Sequence, residues 1–287
     1  MNTFYHPFIL TAAILCSTWI SVRSAAAAAD IGAPESQASL RISIGTGLLI
    51  APEFLGAKTY KVMVLPDVRL TYGDRISASI GEGIRYRLVQ DGGWAAGPIA
   101  RIAFPRNEDG STQFQLAGVR STALRGMGDV ETTVETGLFV RKSWGDWSAG
   151  AELRRGLNGH QGLVGDLSID YGWRIPRDYY AGRPTLLNLG LRSSFVDTAY
   201  NTAYFGINVG QSARSGLPQY RASGGLLSYG AGAALIAPLT RQVTLTAIAN
   251  YTRLAGPSAN SPLILMRGAR DMVTFGTFLS YTFGRGA

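Results

Sequence analysis

The sequence is poor in the residues that most catalytic and metal sites use. It contains one cysteine, Cys16, and two histidines, of which only His160 lies beyond the first 29 residues. A single cysteine cannot form an intramolecular disulfide, and one histidine without cysteine cannot build a His/Cys metal cluster. We therefore expect no thiol chemistry, no disulfide, and neither a metal nor another cofactor.

Charged residues and long apolar runs are also scarce. Only 16% of residues are charged, against about 25% in typical soluble domains. After residue 29 there is no run of about 18 apolar residues, which excludes a transmembrane helix. Glycine, in contrast, is abundant with 36 residues. This composition favours one large β domain over a soluble enzyme.

The N-terminus resembles a secretory signal. An apolar run over 8–22 precedes the alanines of 25–29, which predicts cleavage between Ala29 and Asp30. The alternative, an uncleaved anchor helix, is disfavoured because the run is shorter than the roughly 20 residues of a membrane span. Leu15 precedes Cys16, so no lipid anchor is expected. We divide the chain into a signal peptide, 1–29, and one domain, 30–287.

The chain is basic, with 27 Lys+Arg against 19 Asp+Glu and a net charge of +8. Removing residues 1–29 takes away only Arg23 and leaves +7. Export across a membrane argues against nucleic acid as the partner. Lipid A phosphates of lipopolysaccharide, or an anionic cell-wall polymer, are the expected counter-charges.

The last strand, 271–283, alternates between two kinds of side chain. Val273, Phe275 and Leu279 lie on one face with Tyr281 and Phe283, and small polar residues lie on the other. Alternate side chains of a strand point to opposite faces, so this strand separates two environments. A terminal strand ending in Tyr-x-Phe is typical of an outer-membrane barrel, where it closes the sheet against the first strand.

The same alternation recurs along the chain. Eleven segments show it: 40–50, 62–72, 76–88, 94–104, 132–140, 149–154, 163–174, 187–192, 227–235, 243–251 and 271–283. Because closed bacterial barrels use an even number of strands, 203–209 is taken as the twelfth. The fold prediction is all-β: a closed antiparallel transmembrane β-barrel of about 12 strands, with 10–12 possible.

Charged residues are confined to the polar face of these segments. Alternation alone does not distinguish a membrane barrel from a soluble one. Three features favour the outer membrane: the signal peptide, a polar face rich in Gly and Ser, and aromatic residues at strand ends. These aromatics are Tyr72, Tyr86, Trp94, Phe104, Trp144, Trp147 and Trp173. The charges have both signs, which predicts that ion pairs plug the lumen.

His160 lies in Asn-Gly-His-Gln-Gly, a turn sequence. A lipid hydrolase would require a serine beside it, yet no Gly-x-Ser-x-Gly context is present. The sequence therefore favours a polar turn residue and a protein that is not an enzyme.

Several short motifs occur in a fixed order along the chain. They are Pro-Glu-Phe-Leu-Gly at 52–56, Leu-Pro at 65–66, Gly-His-Gln-Gly at 159–162, Tyr-Phe-Gly at 204–206, Ser-Ala-Arg-Ser-Gly-Leu-Pro-Gln-Tyr-Arg-Ala at 212–222, Tyr-Thr-Arg-Leu at 251–254, Ser-Pro at 261–262 and Ser-Tyr-Thr-Phe at 280–283. In this set the chain resembles the MipA/OmpV family of outer-membrane proteins, which are MltA-interacting protein-like. The tail 284–287, beyond the terminal aromatic, departs from the family pattern.

The resemblance implies an outer-membrane scaffold for murein synthesis and remodelling, which binds a lytic murein transglycosylase and a bifunctional murein synthase. Outer-membrane lipid and lipopolysaccharide are its expected surroundings. The alternatives are a small-solute, porin-like pore and a lipid hydrolase centred on His160. A lumen packed with paired charges favours the scaffold, and an open basic lumen favours the pore.

The connection 196–223 is the predicted partner contact, because apolar anchors stand there amid Ser, Gly and Arg. The candidate contact residues are Tyr204, Phe205, Arg214, Leu217, Tyr220 and Arg221. The competing interpretation is that its aromatics fold inward and plug the lumen without any partner.

Overall fold

The computed structural model describes residues 40–112, 114–175 and 184–283. Strands dominate: β1 Leu40–Pro52, β2 Tyr60–Tyr72, β3 Ile76–Ser79, β4 Gly83–Tyr86, β5 Val89–Asp91, β6 Trp94–Ala103, β7 Gln115–Ala117, β8 Thr133–Trp144, β9 Trp147–Gly156, β10 Leu163–Ile175, β11 Thr185–Val196, β12 Gly225–Pro238, β13 Val243–Leu254 and β14 Asp271–Phe283. The helices are α1 Thr198–Phe205, α2 Val209–Ser215, α3 Gly256–Ala259 and a π-helical turn, Leu263–Arg267. Within these ranges no helix has the length and apolarity needed to cross a membrane.

The sheet closes on itself. Its strands follow the order β1-β14-β13-β12-β11-β10-β9-β8-β6-β4-β3-β2, and β2 returns to pair with β1. Every pairing in this ring is antiparallel. The chain is therefore a closed antiparallel β-barrel of 12 strands, with β5 and β7 as short additions. This confirms the predicted fold class.

The first and last strands form the seam that closes the ring. Ile42 pairs with Phe283 and Ile44 with Tyr281. A Cβ atom at Gly47 would lie 2.2 Å from the ring of Phe278, so only glycine permits this close approach of β1 and β14. The seam leaves neither strand edge open to lipid, where unpaired backbone groups cost several kcal/mol each.

The predicted single strand over 76–88 is wrong. Residues 76–79 and 83–86 form a hairpin in which Ile76 pairs with Tyr86 and Ser79 with Gly83. The three residues between them make the turn, and Gly83 closes it at φ +74°, as three-residue hairpin loops require. This hairpin supplies the twelfth strand of the ring.

The predicted strand over 203–209 is wrong as well, because that stretch joins two helices. The Asp197 side chain caps α1 by accepting the N–H of Tyr200 at 2.9 Å. Asn208 and Gln211 form a reciprocal capping box at the start of α2. Capping residues satisfy N–H groups that a helix leaves free, and so they fix where each helix begins.

The two ends of the barrel differ in their connections. One end, the short-turn end, carries the tight turns 73–75, 92–93, 145–146 and 239–242 together with the connection that contains residues 176–183, which lie outside the described residues. The other end, the loop end, carries 53–59, 104–132, 157–162, 197–224 and 255–270. Exposed aromatics mark the short-turn end, among them Trp94, Trp144, Trp147 and Trp173. Phe104 differs from the predicted girdle, because it packs inward.

The short hairpin β3–β4 leaves the wall incomplete near the loop end. β3 pairs only with Arg69–Tyr72 of β2, so the first half of β2 has no neighbour from this hairpin. β7 folds back to fill part of the space: Ala117 pairs with Val62, and the N–H of Val64 donates to the carbonyl of Phe114 at 3.0 Å. The β6–β8 connection therefore supplies part of the barrel wall.

Candidate functional site

Side-chain orientation gives the barrel an apolar exterior and a filled interior. Leucines such as Leu138, Leu153 and Leu191 point outward and are exposed. Arg101, Glu135 and other charges of the opposite phase point inward and are buried, as the alternation predicts. An exterior of this kind suits lipid, where a charge at the midplane costs about 2–4 kcal/mol.

Arg154 is the centre of a charged network in the lumen. Its side chain is 1% exposed. The guanidinium binds three carboxylates: Nε lies 2.7 Å from Glu135, Nη1 2.6 Å from Glu152 and Nη2 2.7 Å from Asp166. Buried charges are tolerated only when each is paired and hydrogen-bonded, which is the case here.

The network spreads along the wall from β4 to β11. Glu152 also accepts Arg85 at 2.8 Å and Arg101 at 3.1 Å. Closer to the short-turn end, Asp170 pairs with Arg141 at 3.2 Å and Arg192 at 2.9 Å. The acidic pair Asp166 and Asp170 thus neutralises arginines and holds no arrangement suited to acid–base catalysis.

The other side of the lumen contains an apolar cluster among buried polar side chains, and the sequence pattern does not predict this cluster. Inward-facing side chains of β1, β2, β12 and β13 form one buried cluster, and Phe104 and Phe278 pack against it. Leu49 is 0% exposed and Met63 2%. Because both halves of the wall bury their inward side chains, the lumen is occluded toward the loop end.

Three arginines of the lumen are partly open to water. The inward-facing side chains of Arg69, Arg141 and Arg192 keep 23–28% of their surface exposed. Leu49 and Met63, in contrast, are closed to water. The part of the lumen that water reaches is therefore basic.

The long connections fold together over the loop end and form a structure that we call the cap. It comprises 53–59, 104–132, 197–224 and 255–270. One buried apolar cluster joins them; it includes Phe54, Leu124, Met127, Tyr200, Phe205, Ile207, Leu217, Leu263 and Ile264. Buried polar contacts hold the parts in register, for example Ser258 Oγ donating to Asn201 Oδ1 at 2.7 Å.

The structure divides the six candidate contact residues of 196–223 into three groups by burial. Phe205 and Leu217 are buried in the cap at 1% and 2% exposure. Their apolar surface is buried against the chain itself and is not exposed to a partner in this structure, so their contact role stays a prediction. Arg214 and Arg221 are exposed.

Tyr204 and Tyr220 are half-buried, and both make contacts within the cap. The ring of Tyr204 lies 4.6 Å from that of Tyr200, centroid to centroid, and its carbonyl accepts a hydrogen bond from Arg106. The hydroxyl of Tyr220 donates to the carbonyl of Pro257 at 2.7 Å. Burial lowers the pKa of Arg106 to about 10 and raises that of Tyr220.

His160 lies in a turn, as predicted, but its side chain is buried. Nδ1 accepts the N–H of Gly162 at 3.1 Å, so Nε2 carries the proton and faces Glu135 Oε1 at 3.0 Å. The ring also contacts Tyr200, with centroids 4.8 Å apart. Since both nitrogens are occupied, no serine is paired with this histidine in the described part of the chain. Nor do the described His, Cys, Asp and Glu residues form a group of three suited to a metal ion.

The family described as MltA-interacting protein MipA matches residues 44–283, which include almost the whole barrel and its cap. The chain belongs to the MipA family. The family resemblance of the ordered motifs is thereby confirmed.

YiaT of Escherichia coli strain K12, whose name assigns it to the outer membrane, is 28% identical over 179 residues. The match covers 62% of this chain and 64% of YiaT, slightly less than two thirds of that relative. The YiaT protein of Escherichia coli O157:H7 matches to the same extent. This MipA-family chain is thus an outer-membrane barrel.

Solved outer-membrane proteins share the architecture only distantly. The NanC porin is 11% identical with a TM-score of 0.42, and the match covers 84% of this chain and 98% of NanC. The β domain of the Bordetella autotransporter BrkA is 12% identical with a TM-score of 0.39, covering 86% and 100%. At these values the similarity carries no argument about solute or partner.

Proposed function

We propose that this protein is a non-conducting outer-membrane scaffold that holds enzymes of murein synthesis and remodelling. The observation that carries the proposal is the occluded lumen. Arg154 and its three carboxylates are buried on one side, and the apolar cluster around Leu49 and Met63 is buried on the other. A pore needs a continuous water path, and a scaffold needs only a stable barrel.

The scaffold is not an enzyme in this proposal. His160, the histidine on which a hydrolase would depend, uses both ring nitrogens to hold its turn against β8. An acyl-transfer centre needs a base within reach of a nucleophile. The arrangement around His160 supports a structural role instead.

The proposed partners are a lytic murein transglycosylase, as the family description suggests, and a bifunctional murein synthase. Barrels of this class have short turns in the periplasm and long loops outside. Murein lies in the periplasm, so we place the contact at the short-turn end. Outer-membrane lipid and lipopolysaccharide surround the exposed apolar wall.

This orientation changes which residues should bind a murein enzyme. In this orientation the exposed charges of the tight turns, such as Arg75 and Asp146, face the periplasm. Arg214 and Arg221, on the cap, face the outside of the cell. The partner-contact role first predicted for 196–223 then requires a partner outside the cell.

Reciprocal co-purification tests the scaffold. One variant reverses the turn charges (Arg75→Glu with Asp146→Arg), and its matched control reverses two cap charges (Arg120→Glu with Arg221→Glu). We expect the parent and the control to recover the transglycosylase and synthase, and the turn variant to lose them. Equal recovery with both variants refutes the short-turn contact, and no recovery with the parent refutes the scaffold.

Planar-bilayer conductance tests the rival function. An occluded lumen should give no steady channel steps with the parent protein. Regular steps would favour the small-solute pore, for which the partly exposed Arg69, Arg141 and Arg192 would line the water path.

We also propose that export removes residues 1–29, with cleavage between Ala29 and Asp30. These residues lie outside the described part of the chain. N-terminal sequencing of protein from the outer membrane should begin at Asp30, and a start at Met1 would refute cleavage.

A further inference from the structure

Three connections meet over the loop end and border a half-open cavity of about 390 Å³. The walls come from the β6–β8 connection, from the end of α2 and from the π-helical turn. The side chains that line it are Ser121, Thr122, Ala123, Arg125, Arg214, Ser215 and Arg267. This lining, within the described residues, has three guanidinium groups, three hydroxyls and no carboxylate.

The cavity walls are fixed in place by the protein itself. Arg267 Nη1 donates to the carbonyls of Ala123 at 3.0 Å and Arg125 at 3.2 Å, and Nη2 donates to that of Ser215. Gly126, at φ +87°, lies so close to α2 that a Cβ there would be 2.5 Å from the nitrogen of Ser215. A site built in this way loses little conformational entropy when a ligand binds.

The positive charge of the cavity is only partly compensated. In the described part of the chain no ion pair involves Arg125, Arg214 or Arg267. Glu108 interacts electrostatically with Arg214, but it does not line the cavity. Its carboxylate accepts the N–H groups of Gly126 and Gly128, both at 2.7 Å. Backbone carbonyls bind the guanidinium of Arg267 but do not cancel its charge.

We propose that this cavity, the arginine pocket, binds a phosphate-bearing anion of about the size of a sugar phosphate. A guanidinium presents a planar fork of donors that matches phosphate oxygens two at a time. A phosphate monoester carries nearly two negative charges at neutral pH. These charges suit the two exposed arginines and the third, Arg267, which backbone carbonyls hold in place. The volume falls within the range of about 300–1,000 Å³ of small-molecule sites.

Calorimetry on the full-length barrel in detergent tests the pocket. The ligand is glucose 6-phosphate, with glucose as the neutral comparison and inorganic phosphate as the smallest anion. The test variant is Arg125→Gln with Arg214→Gln, and the matched control is Arg120→Gln with Arg221→Gln, two exposed arginines outside the lining. We expect saturable binding of glucose 6-phosphate, not of glucose, weakened about tenfold or more only in the test variant.

A second arm separates a soluble ligand from a lipid headgroup. Micelles of lipopolysaccharide are compared with the same lipid after its phosphates are removed. Binding that needs the phosphates and is lost in the test variant assigns the pocket to lipopolysaccharide, whereas binding of glucose 6-phosphate alone assigns it to a free solute. The proposal is overturned if neither phosphorylated ligand binds, or if the test variant binds as the parent does.

Folding of each variant is checked by its migration before and after boiling. Arg214→Gln alone serves as a second test variant, because it removes one charge and no ion pair. It should weaken binding in the same direction by a smaller factor; unchanged affinity in both test variants refutes the pocket.

Discussion

Arg154 Nε lies 2.7 Å from Glu135 Oε2 inside the barrel, and water reaches almost none of either side chain. Glu135 in turn holds His160, which closes the connection between β9 and β10. The His160 ring contacts Tyr200 of the cap, so one guanidinium links the lumen to the cap through Glu135 and His160. A continuous network of this kind makes barrel stability depend strongly on its central charge.

We predict that Arg154→Ala lowers the free energy of unfolding by about 3–5 kcal/mol, because it leaves three buried carboxylates without their shared cation. Arg155→Ala is the control, since Arg155 is exposed on the opposite face. That change should stay within about 0.5 kcal/mol. Urea unfolding in lipid vesicles measures both, and equal losses would show that the lumen network is not stabilising.

Leu191→Arg should destabilise the barrel by about 2–4 kcal/mol, because Leu191 lies mid-strand on the lipid-facing side. Leu157→Arg should cost only about 0–1 kcal/mol, because Leu157 lies in a connection beyond the strands. The two leucines are matched in exposure, 62% and 61%. Refolding yields in vesicles that are the same for both variants would contradict a membrane position for the strands.

Leu217→Ala should loosen the cap without opening the barrel. Removing a buried leucine side chain costs about 2–5 kcal/mol, and here the loss falls on the cluster that joins the connections. Hydrogen exchange should speed up in 197–224 and stay slow in the strands. Val209→Ala, at an exposed position of the same connection, is the control. Fast exchange throughout the strands would mean that cap and barrel unfold together.

Acid should loosen the β6–β8 connection through Glu108. The N–H groups of Gly126 and Gly128 hold the pKa of its carboxyl below the ordinary value. A carboxyl whose pKa is lowered in the folded state stabilises that state at any pH above its ordinary pKa. This stabilisation is lost as the pH falls through the lowered pKa. Hydrogen exchange of 104–132, corrected for its intrinsic pH dependence, should accelerate below about pH 4.

Glu108→Gln should remove this acid step, because the amide cannot titrate. Glu131→Gln, an exposed carboxylate of the same connection, is the control and should keep it. An acid step of the same size in Glu108→Gln would assign the effect to another group.

Much of the barrel could be predicted because period-two alternation is a property of each strand by itself. In β14, for example, the alternation of apolar and small residues predicts directly which side chains, from Val273 to Phe283, face outward. The hairpin β3–β4 could not be read in this way. Because the turn has three residues, even-numbered positions face the same side of the sheet before and after it. Ile76 and Ile84 therefore face one side, as they would if 76–88 were one continuous strand.

The cap lay beyond the sequence pattern for a different reason. Its apolar cluster joins Phe54, Leu124, Phe205 and Leu263, which belong to four separate connections. A local periodicity in the sequence does not indicate contacts between residues that lie so far apart along the chain. The helix starts were recognisable, however, since Asp197 and the pair Asn208 and Gln211 carry ordinary capping signals.

The seam between β1 and β14 also determines when the barrel can close during assembly. Its register, from Ile42–Phe283 to Ile50–Phe275, joins the two ends of the chain, whereas the other neighbours mostly form hairpins. Long-range pairing must overcome a large loop-closure entropy, so local hairpins form first and the most distant contact last. Until then both outer strands present unpaired edges that invite aggregation. We therefore expect closure of the seam to be the slow step of biogenesis. A side chain at Gly47 would obstruct this step, so open sheets should accumulate in such a variant.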